Sequence, residues 1–323
     1  MTEKSKPRGW TADLIPSQEG RRVMITGGNS GIGYETALEL ARRGAEVVLP
    51  ARTPAKANGA LERIRREVPG AKLHGGTLDL ASLGSVRAYA AEFAVRFPGA
   101  SIDVLINNAG VMAVPTRELT VDGYERQFAT NYLGPFLLTA LLYGQIKQKA
   151  GSRIVIVSSS ASKMGKIEFD NLQGERRYIP MWGAYAQSKL ADSVFAVELQ
   201  RRLAAAGSKV IAAAAHPGYA VTNLQTSGPG ESGGGLVQRL AMVLLKPIAS
   251  QDAAHGALPT LFAAAAPGVV PGGYYGPDRM MELKGYPVPV AVAKAARDAA
   301  MGERLWSETE KLVGTRFEIG RVG

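Results

Sequence analysis

A tyrosine and a lysine stand four positions apart in the stretch AYAQSK, residues 184–189, where a helical pattern begins. Four residues of α-helix advance about 6 Å and return to the same face, so the phenol of Tyr185 and the ammonium of Lys189 can point into one pocket. Such a phenol can exchange a proton with a reacting oxygen, because the ammonium stabilises the phenolate. The pair is equally compatible with a half-buried tyrosine beside a solvated lysine, so the rest of the chain must decide.

The composition is that of a globular protein and restricts the available chemistry. The chain has 323 residues, of which 46% are hydrophobic and 20% charged, and its net charge is +10. It has no cysteine, which excludes disulfides, thiolate metal ligands and cysteine nucleophiles and favours an intracellular, cytoplasmic location. The histidines His74, His216 and His255 lack metal-ligand spacing, so no metal site is expected.

Neither a membrane nor a nucleic acid is an expected partner. No signal-peptide pattern opens the chain, and the apolar runs 240–245 and 258–266 are shorter than the roughly 20 residues of a membrane span. The arginines form scattered pairs, such as Arg176 and Arg177, without the basic stripe and interleaved aromatics that favour nucleic acids. The sequence therefore predicts a soluble protein.

Short β-branched runs alternate with longer amphipathic segments. The pattern predicts strands in RRVMITGG, AEVVLPAR, AKLHGGTLDL, IDVLINNAG, SRIVIVSSS and KVIAAAAHPG, and helices over residues 31–43, 54–68, 82–97, 131–149 and 185–205. This alternation predicts a single doubly wound α/β domain, a parallel sheet with helices on both faces. We expect a polar extension over residues 1–19, the domain over 20–323, and substrate-side insertions near 163–183 and 223–250.

The loop TGGNSGIG, residues 26–33, lies between the first strand and the first helix. A dinucleotide pyrophosphate would meet backbone N–H groups and a helix N-terminus there, although the spacing of Gly27, Gly31 and Gly33 is not G-x-G-x-x-G. Glycine inside the first helical turn costs about 1 kcal/mol relative to alanine. Gly31 and Gly33 therefore indicate the close approach of a ligand more than a simple turn.

Five motifs, in order along the chain, together resemble the short-chain dehydrogenase/reductase family. They are T-G-x-x-x-G-x-G at 26–33, NNAG at 107–110, VSSS at 157–160, Y-x-x-x-K at 185–189 and HPGYAVT at 216–222. The stretches NYLGPFLLT, FDNLQGERRY and AYAQSKLA further resemble its retinol-dehydrogenase-like branch. The resemblance covers nearly the whole chain. It implies a Rossmann fold and an oxidoreductase that moves hydride between a nicotinamide cofactor and an alcohol or carbonyl substrate, which we expect to be lipophilic because an apolar run follows the glycine-rich residues 226–236.

The resemblance also assigns catalytic roles. Tyr185 would be the general acid or base, and Lys189 would lower the pKa of its phenol and hold the nicotinamide ribose. A shift of three pKa units requires about 4 kcal/mol of differential stabilisation. Ser159 would orient the substrate oxygen, and Asn131 would support a water linked to the lysine. Read alone, Asn131 could instead be a helix cap.

By the same resemblance, a set of residues at the carboxyl ends of the strands holds the cofactor. The set comprises Gly27, Asn29, Ser30, Gly31, Ile32, Gly33, Arg52, Asp79, Leu80, Asn107, Ala109, Gly110, Tyr185, Lys189, Pro217, Gly218 and Thr222. Asn107 is the expected polar contact, Asp79 alone could be a loop residue or a cap, and His216 is expected to be structural.

The cofactor preference depends on the end of the second strand, in VVLPARTPAK. An enzyme that prefers NAD usually presents a carboxylate there, whereas this chain has Arg52, which could grip a 2′-phosphate through two hydrogen bonds, with Lys56 adding a weaker contact. We therefore expect NADP(H) over NAD(H). A surface arginine that ends a strand is the alternative interpretation.

Two other functions share parts of this pattern. A dinucleotide-binding sensor or scaffold would keep the fold without chemistry, but the complete set of Asn131, Ser159, Tyr185 and Lys189 argues against it. A light-driven pigment reductase shares the fold and motifs, and the absence of cysteine argues against it.

Three further expectations concern specificity, motion and assembly. Specificity is expected in the two insertions and in YYGPDRMMELKGYP. The glycine-rich residues 226–236 are expected to be mobile without ligand, with the apolar run after them closing over substrate. The family commonly forms homodimers or homotetramers through helices near 131–149 and 185–205, a surface that the 163–183 insertion could obstruct.

Overall fold

The structure is a computed structural model that describes residues 9–219 and 251–320. Thr222, the 223–250 insertion and the expected lid over residues 226–236 lie outside the described residues.

An eight-stranded sheet forms the centre of the described part, with the strand order β3-β2-β1-β4-β5-β6-β7-β8. The strands are β1 (Arg22–Ile25), β2 (Glu46–Ala51), β3 (Leu73–Thr77), β4 (Val104–Asn107), β5 (Arg153–Val157), β6 (Ile211–Ala215), β7 (Tyr274–Arg279) and β8 (Lys284–Pro289). All neighbours pair in parallel except β7 and β8. The chain order reverses between β1 and β4, which creates a crevice at their carboxyl ends. The expected doubly wound sheet is confirmed.

Eight α-helices are described around the sheet. They are α1 (Gly31–Arg42), α2 (Pro54–Glu67), α3 (Leu83–Arg96), α4 (Arg126–Phe128), α5 (Gly134–Leu142), α6 (Ala186–Ala205), α7 (Ala253–Ala265) and α8 (Ala299–Val313). The helix expected over 131–149 is shorter and less regular than predicted. Its α-helical part is α5, and a π-helical turn over Ala129–Leu133 joins α5 to α4. Pro135 lacks the N–H that would bond to the carbonyl of Asn131 in a regular α-helix, which favours a wider turn at this point.

The apolar side chains divide into two layers, one on each face of the sheet. Met24, Leu105 and Ile154 pack in a layer with residues of α3, α5, α6 and α8. Their sequence neighbours Val23 and Val104 pack in the other layer, with residues of α1, α2 and α7. The alternation follows from the period of two along each strand, and it buries both faces of the sheet. None of the helices within residues 9–219 and 251–320 combines the length and apolar character that a membrane crossing requires.

The first described residues depart from the expected polar extension. Ile15 is buried in the core layer that contains α1, and the ring of Trp10 meets that of Phe262 edge-on with centroids 5.2 Å apart. Gln18 is also buried. Residues 9–19 therefore pack on the domain, because the few apolar side chains in this polar segment face the helices.

Two strands, β7 and β8, and two helices, α7 and α8, were not predicted near the C-terminus. Gly276 and Pro277 lie inside β7, and both residue types are uncommon in strand interiors. The pairing of β7 with β6 involves only Tyr274 and Tyr275, so Pro277 removes no hydrogen bond from it. The hairpin of β7 and β8 is thus held by tertiary packing more than by strand propensity.

Candidate active site and dinucleotide groove

Lys189 lies in α6 and is 5% exposed. Its Nζ donates hydrogen bonds to the carbonyl oxygen of Val157 at 3.0 Å and to Oδ2 of Asp192 at 2.9 Å. A Cβ placed on Gly110 would lie 3.6 Å from this nitrogen and 3.2 Å from Oδ1 of Asn131. The loop after β4 therefore brings Asn131 and Lys189 to the same point at the carboxyl edge of the sheet.

The ammonium and the carboxylate of this pair are both buried. Burial disfavours a charged Lys189, but the attraction of Asp192, followed by that of Tyr185, outweighs it and raises the pKa of the lysine. Burial raises the pKa of Asp192 to about 6, although Lys189 opposes the shift. The lysine therefore stays charged because an acid lies beside it.

Tyr185 is 7% exposed and is the last residue of a π-helical turn over Pro180–Tyr185 that leads into α6. It forms a small apolar cluster with Ala161 and Ala186, against which Met112 and Met181 pack. Within the described residues no hydrogen bond reaches its phenolic oxygen, so this oxygen can meet a substrate. Asn131 also lies in a π-helical turn, and such turns are frequent at functional sites.

Asn131 is not a helix cap. Its Oδ1 accepts from the N–H of Val111 at 2.7 Å, and its Nδ2 donates to the carbonyl of Val111 and to Oγ of Ser188, both at 2.9 Å. The side chain thus fastens the loop after β4 to α6, close to Lys189.

The three serines after β5 differ in environment. Ser158 is buried, and its Oγ donates to the carbonyl of Lys189 at 2.7 Å and lies 3.0 Å from Oγ of Ser193. Ser159 stays partly exposed, and its Oγ accepts from the N–H of Ala161 at 3.2 Å. Ser160 is also partly exposed and begins a short 3-10 turn. Ser158 is therefore occupied structurally, whereas the hydroxyl of Ser159 remains at the crevice.

The glycines after β1 are required by the fold itself. Gly27 and Gly31 have φ values of 68° and 54°, in the left-handed region that favours glycine. A Cβ on Gly33 would overlap the carbonyl oxygen of Gly27. Backbone conformation at Gly31 and internal packing at Gly33 thus already require glycine, and the close approach of a ligand stays a prediction. Asn29, Ser30 and Ile32 are partly exposed on the same loop, which opens α1 at the crevice.

Asn107 does not lie where it was expected. It is 4% exposed, and its Nδ2 donates to Oγ1 of Thr139 in α5 at 2.9 Å. Strand periodicity could have shown this, since Leu105, two residues earlier, faces the same helix layer. The polar contact expected of Asn107 is therefore not available in the crevice, where Ala109 and Gly110 are partly exposed.

Thr26 and Asn108 were missed by sequence reasoning. Oγ1 of Thr26 accepts from the N–H groups of Asn108 and Ala109, both at 3.1 Å, and Nδ2 of Asn108 donates to the carbonyl of Thr26 at 2.9 Å. These bonds lock the loop after β1 to the loop after β4. The signal available in the sequence was a polar residue at the end of each of two strands.

The outer part of the crevice is basic. Arg52 follows β2, is exposed, and has no hydrogen-bond or ion-pair partner within the described residues. Lys56 is exposed in the first turn of α2. Asp79 shapes its own loop, because its Oδ1 accepts from the N–H of Ala81 at 3.0 Å, and the next residue, Leu80, is buried.

A hydrogen-bonded chain of three residues links Lys163, Glu282 and His216. His216 is fully buried, and its Nε2 lies 2.9 Å from Oε2 of Glu282, in the turn between β7 and β8. Nζ of Lys163 donates to Oε1 of Glu282 at 2.6 Å. The bond with His216, followed by Lys163, lowers the pKa of Glu282 to about 2 against the effect of burial. No sequence signal pointed to Glu282, whereas the structural role expected for His216 agrees with its burial.

Pro217 and Gly218 follow β6, and Gly218 lies against the turn between β7 and β8. Gly218 has a φ of 68°, and a Cβ there would overlap the carbonyl oxygen of Leu283. The carbonyl of Pro217 accepts from Nε2 of Gln251 at 2.7 Å. Both residues are partly exposed.

The insertion over residues 163–183 follows β5 and is fastened to the loop after β4. Tyr178 donates from its hydroxyl to the carbonyl of Val114 at 2.8 Å, and Nε of Arg117 donates to the carbonyl of Gln173 at 2.7 Å. The insertion leads directly into Tyr185, so these bonds help to fix the start of α6.

Comparisons with known proteins agree with this geometry. The sequence pattern of the family described as short chain dehydrogenase matches residues 21–230. Retinol dehydrogenase 13 of Homo sapiens is 40% identical over 312 residues, covering 94% of this chain and 88% of that protein. Polyprenol dehydrogenase of Mus musculus is 38% identical over 308 residues, covering 93% of this chain and 86% of that protein. A crystal structure of an uncharacterised protein from Mycobacterium paratuberculosis superposes with a TM-score of 0.77 at 40% identity, covering 96% of this chain and 100% of that one.

The family pattern spans both the loop after β1 and the Tyr185 to Lys189 pair. The relatives match almost the whole chain at about 40% identity. The chain therefore belongs to the short-chain dehydrogenase/reductase family of NAD(P)-binding oxidoreductases, within its retinol-dehydrogenase-like branch.

Proposed function

We propose that this protein transfers a hydride between NADP(H) and a lipophilic alcohol or carbonyl compound, with Tyr185 exchanging the proton of the substrate oxygen. The observation that carries the proposal is the buried, charged Lys189, which lies one helical turn after Tyr185, whose hydroxyl makes no hydrogen bond within residues 9–219 and 251–320. A cation at this place stabilises the phenolate and so makes the phenol a better acid.

Each residue has a distinct task in this reaction. In carbonyl reduction Tyr185 gives its proton to the substrate oxygen, and in alcohol oxidation it takes that proton. Ser159 donates a hydrogen bond to the same oxygen and so fixes its position. Lys189 keeps its charge near the phenol and, within the described residues, has one N–H without an acceptor, which a ligand could take. A nicotinamide held in the crevice would supply or accept the hydride.

The residues of the crevice suit a dinucleotide. Gly110 leaves open the space beside Asn131 and Lys189 that a side chain would fill. The loop after β1 ends at the N-terminus of α1, which favours a pyrophosphate through free N–H groups and the helix dipole. Gly27, Gly31, Ala109 and Gly110 would line this groove, with Lys189 at its inner end.

Arg52 supports NADP(H) as the preferred cofactor. Its guanidinium is exposed and unpaired within the described residues, at the end of β2, next to the chain reversal of the sheet. A guanidinium binds phosphate through two parallel hydrogen bonds and stacks on an aromatic base. Lys56 adds a second positive charge one helical turn later.

A lipophilic substrate is supported by the surroundings of Tyr185. Met112 and Met181 pack against the small apolar cluster that contains Tyr185, so the surroundings of the phenol are apolar and adaptable in shape. The relatives named retinol dehydrogenase and polyprenol dehydrogenase carry the names of lipophilic alcohols, which makes this class the first to test.

The test is a substrate panel read by NADPH absorbance. Retinal, long-chain aldehydes, steroid ketones and small polar aldehydes would be reduced with NADPH, and the matching alcohols oxidised with NADP. We expect turnover with the lipophilic members and a higher kcat/KM than for the polar ones. Cofactor binding without turnover of any member would favour the sensor or scaffold instead. A preference for polar substrates would contradict the lipophilic assignment.

A further inference from the structure

Asp192 forms a buried ion pair inside the proposed site. It lies three residues after Lys189 on α6, is 1% exposed, and its Oδ2 accepts from Nζ of Lys189 at 2.9 Å. Neither the motifs of the sequence nor the proposed reaction assigns it a role.

Fold stability gives no sufficient reason for a carboxylate at this position. Moving two charges out of water costs as much free energy as their attraction returns in many proteins, and apolar pairs of similar volume often do as well or better. The neighbours Leu190 and Ala191 are fully buried, and Phe195 on the next turn is nearly so. An apolar residue would suit these surroundings. The ion pair with Lys189 therefore explains the carboxylate of Asp192 better than fold stability does.

We propose that Asp192 is a positioning residue whose carboxylate keeps the side chain of Lys189 charged and fixed against the end of β5. The inference rests on the proposed function for the role of Lys189 itself. Asp192 acts only through the lysine.

The hydrogen bonds of Lys189 show how the position is fixed. Within the described residues, two of its three N–H donors are used, one by Val157 and one by Asp192. The third is left for a ligand, beside the open space at Gly110. Without the carboxylate, the lysine would keep one of these two anchors and would lose the opposite charge that offsets its burial.

The other titratable groups around the pair do not replace Asp192. Tyr185 acts on Lys189 from the start of the helix, and it favours the ammonium only as a phenolate. Tyr132, in the π-helical turn before α5, faces Asp192, and burial raises the pKa of its hydroxyl, so it stays neutral. The carbonyl of Val157, at the end of β5, and the amide of Asn131, in the same π-helical turn as Tyr132, carry no charge.

The variant Asp192→Asn tests the charge directly, because it keeps the shape of the side chain. Urea unfolding would be measured from pH 7 to 10.5 in the wild type, in Asp192→Asn and in Lys189→Met/Asp192→Asn. In Asp192→Asn, Lys189 should lose its proton at a lower pH in the folded state than in the unfolded state. The stability of Asp192→Asn relative to the double variant should then rise with pH. Its folding equilibrium constant should grow by up to about tenfold per pH unit. The wild type should show no such rise.

The reaction supplies a second, independent measurement. The ratio of kcat/KM between Asp192→Asn and the wild type should fall above the pH at which unfolding shows the lysine to lose its proton, and should recover below it. Equal slopes of stability against pH in the wild type and Asp192→Asn would overturn the proposal. A ratio of kcat/KM that is constant with pH would overturn the positioning role even if the unfolding result held.

Two outcomes keep this inference separate from the proposed function. If the wild type reduces no carbonyl compound and oxidises no alcohol, the proposed function fails, while unfolding still reports on the ion pair. If Asp192→Asn does not fold, Lys189→Met serves instead. Its unpaired carboxyl should bind a proton more tightly, so its stability should fall relative to the wild type between pH 5 and 8. If the stabilities of Lys189→Met and the wild type changed equally with pH over this range, the ion pair of Lys189 and Asp192 would be contradicted.

Discussion

Nζ of Lys189 lies 3.0 Å from the carbonyl oxygen of Val157, the last residue of β5. This bond joins α6 to the strand end that Ser159 follows. Tyr185 stands one turn before Lys189, at the start of the same helix. Tyr185 and Lys189 therefore lie at the start of α6 and Ser159 follows β5, and the hydrogen bond from Lys189 to Val157 holds these two elements together.

The first prediction concerns Tyr185→Phe, which removes the transferable proton and little else. We expect kcat to fall by about 10² to 10⁴-fold, the usual contribution of a general acid, with cofactor affinity nearly unchanged. Tyr286→Phe, in β8, is the matched control and should keep its activity. The measurements are steady-state kinetics on a confirmed substrate and NADPH titration by fluorescence. Wild-type kcat in Tyr185→Phe would show that the mechanism is wrong.

The second prediction concerns Arg52→Ala and cofactor preference. Hydrogen bonds to a charged group contribute about 1.5 to 3 kcal/mol, which corresponds to a preference of about 10- to 150-fold for NADP(H). Most of it should vanish in Arg52→Ala, and Lys56→Ala should have a smaller effect. The comparison is kcat/KM with each cofactor for all three proteins. Equal or better use of NAD(H) by the wild type would contradict the assignment.

The third prediction separates two glycines by what surrounds them. A Cβ on Gly33 would overlap the carbonyl of Gly27, so Gly33→Ala should destabilise the fold by about 1 to 3 kcal/mol and weaken cofactor binding. Gly59 lies inside α2 with nothing within 4 Å of an added Cβ. Gly59→Ala should therefore stabilise the fold by about 0.5 to 1 kcal/mol. Urea unfolding measures both, and a neutral Gly33→Ala would refute the packing argument.

The fourth prediction concerns Glu282 and acid. Its pKa of about 2 lies below the usual value for a glutamate, chiefly because His216 bonds to it. Its contribution to stability is therefore present above about pH 4.5 and is lost as the pH falls toward 2. Glu282→Gln should be less stable than the wild type at pH 7 by on the order of 1 kcal/mol, since 24% of the side chain meets water.

The difference between Glu282→Gln and the wild type should shrink as the pH is lowered from 5 to 3. Glu308→Gln, which removes an exposed i,i+3 pair with Lys311, is the control and should change stability by less than about 0.5 kcal/mol at any pH. Urea unfolding across this range tests both variants. A constant difference for Glu282→Gln would exclude the ionisation as its cause.

The sequence by itself determined the alternation of strands and helices as far as β6 and the chemistry available to the site. Strand and helix periods are properties of short segments, so β1 to β6 and the helices from α1 to α3 and α6 could be read within a few residues. Tyr185 and Lys189 could be paired for the same reason, since four residues of helix have one geometry. The motifs that resemble the family are likewise contiguous.

Only the tertiary structure decided which groups are buried and which distant segments meet. Asn107 and Asn108 are adjacent in the chain, yet one bonds into the core and the other locks two loops together. His216 and Glu282 pair across 66 residues of chain, and no local pattern encodes such a contact. The spacing of Lys189 and Asp192 is visible in the sequence, but the sequence does not show that both side chains are buried. Packing removes water from both groups, and only then does each charge depend on the other.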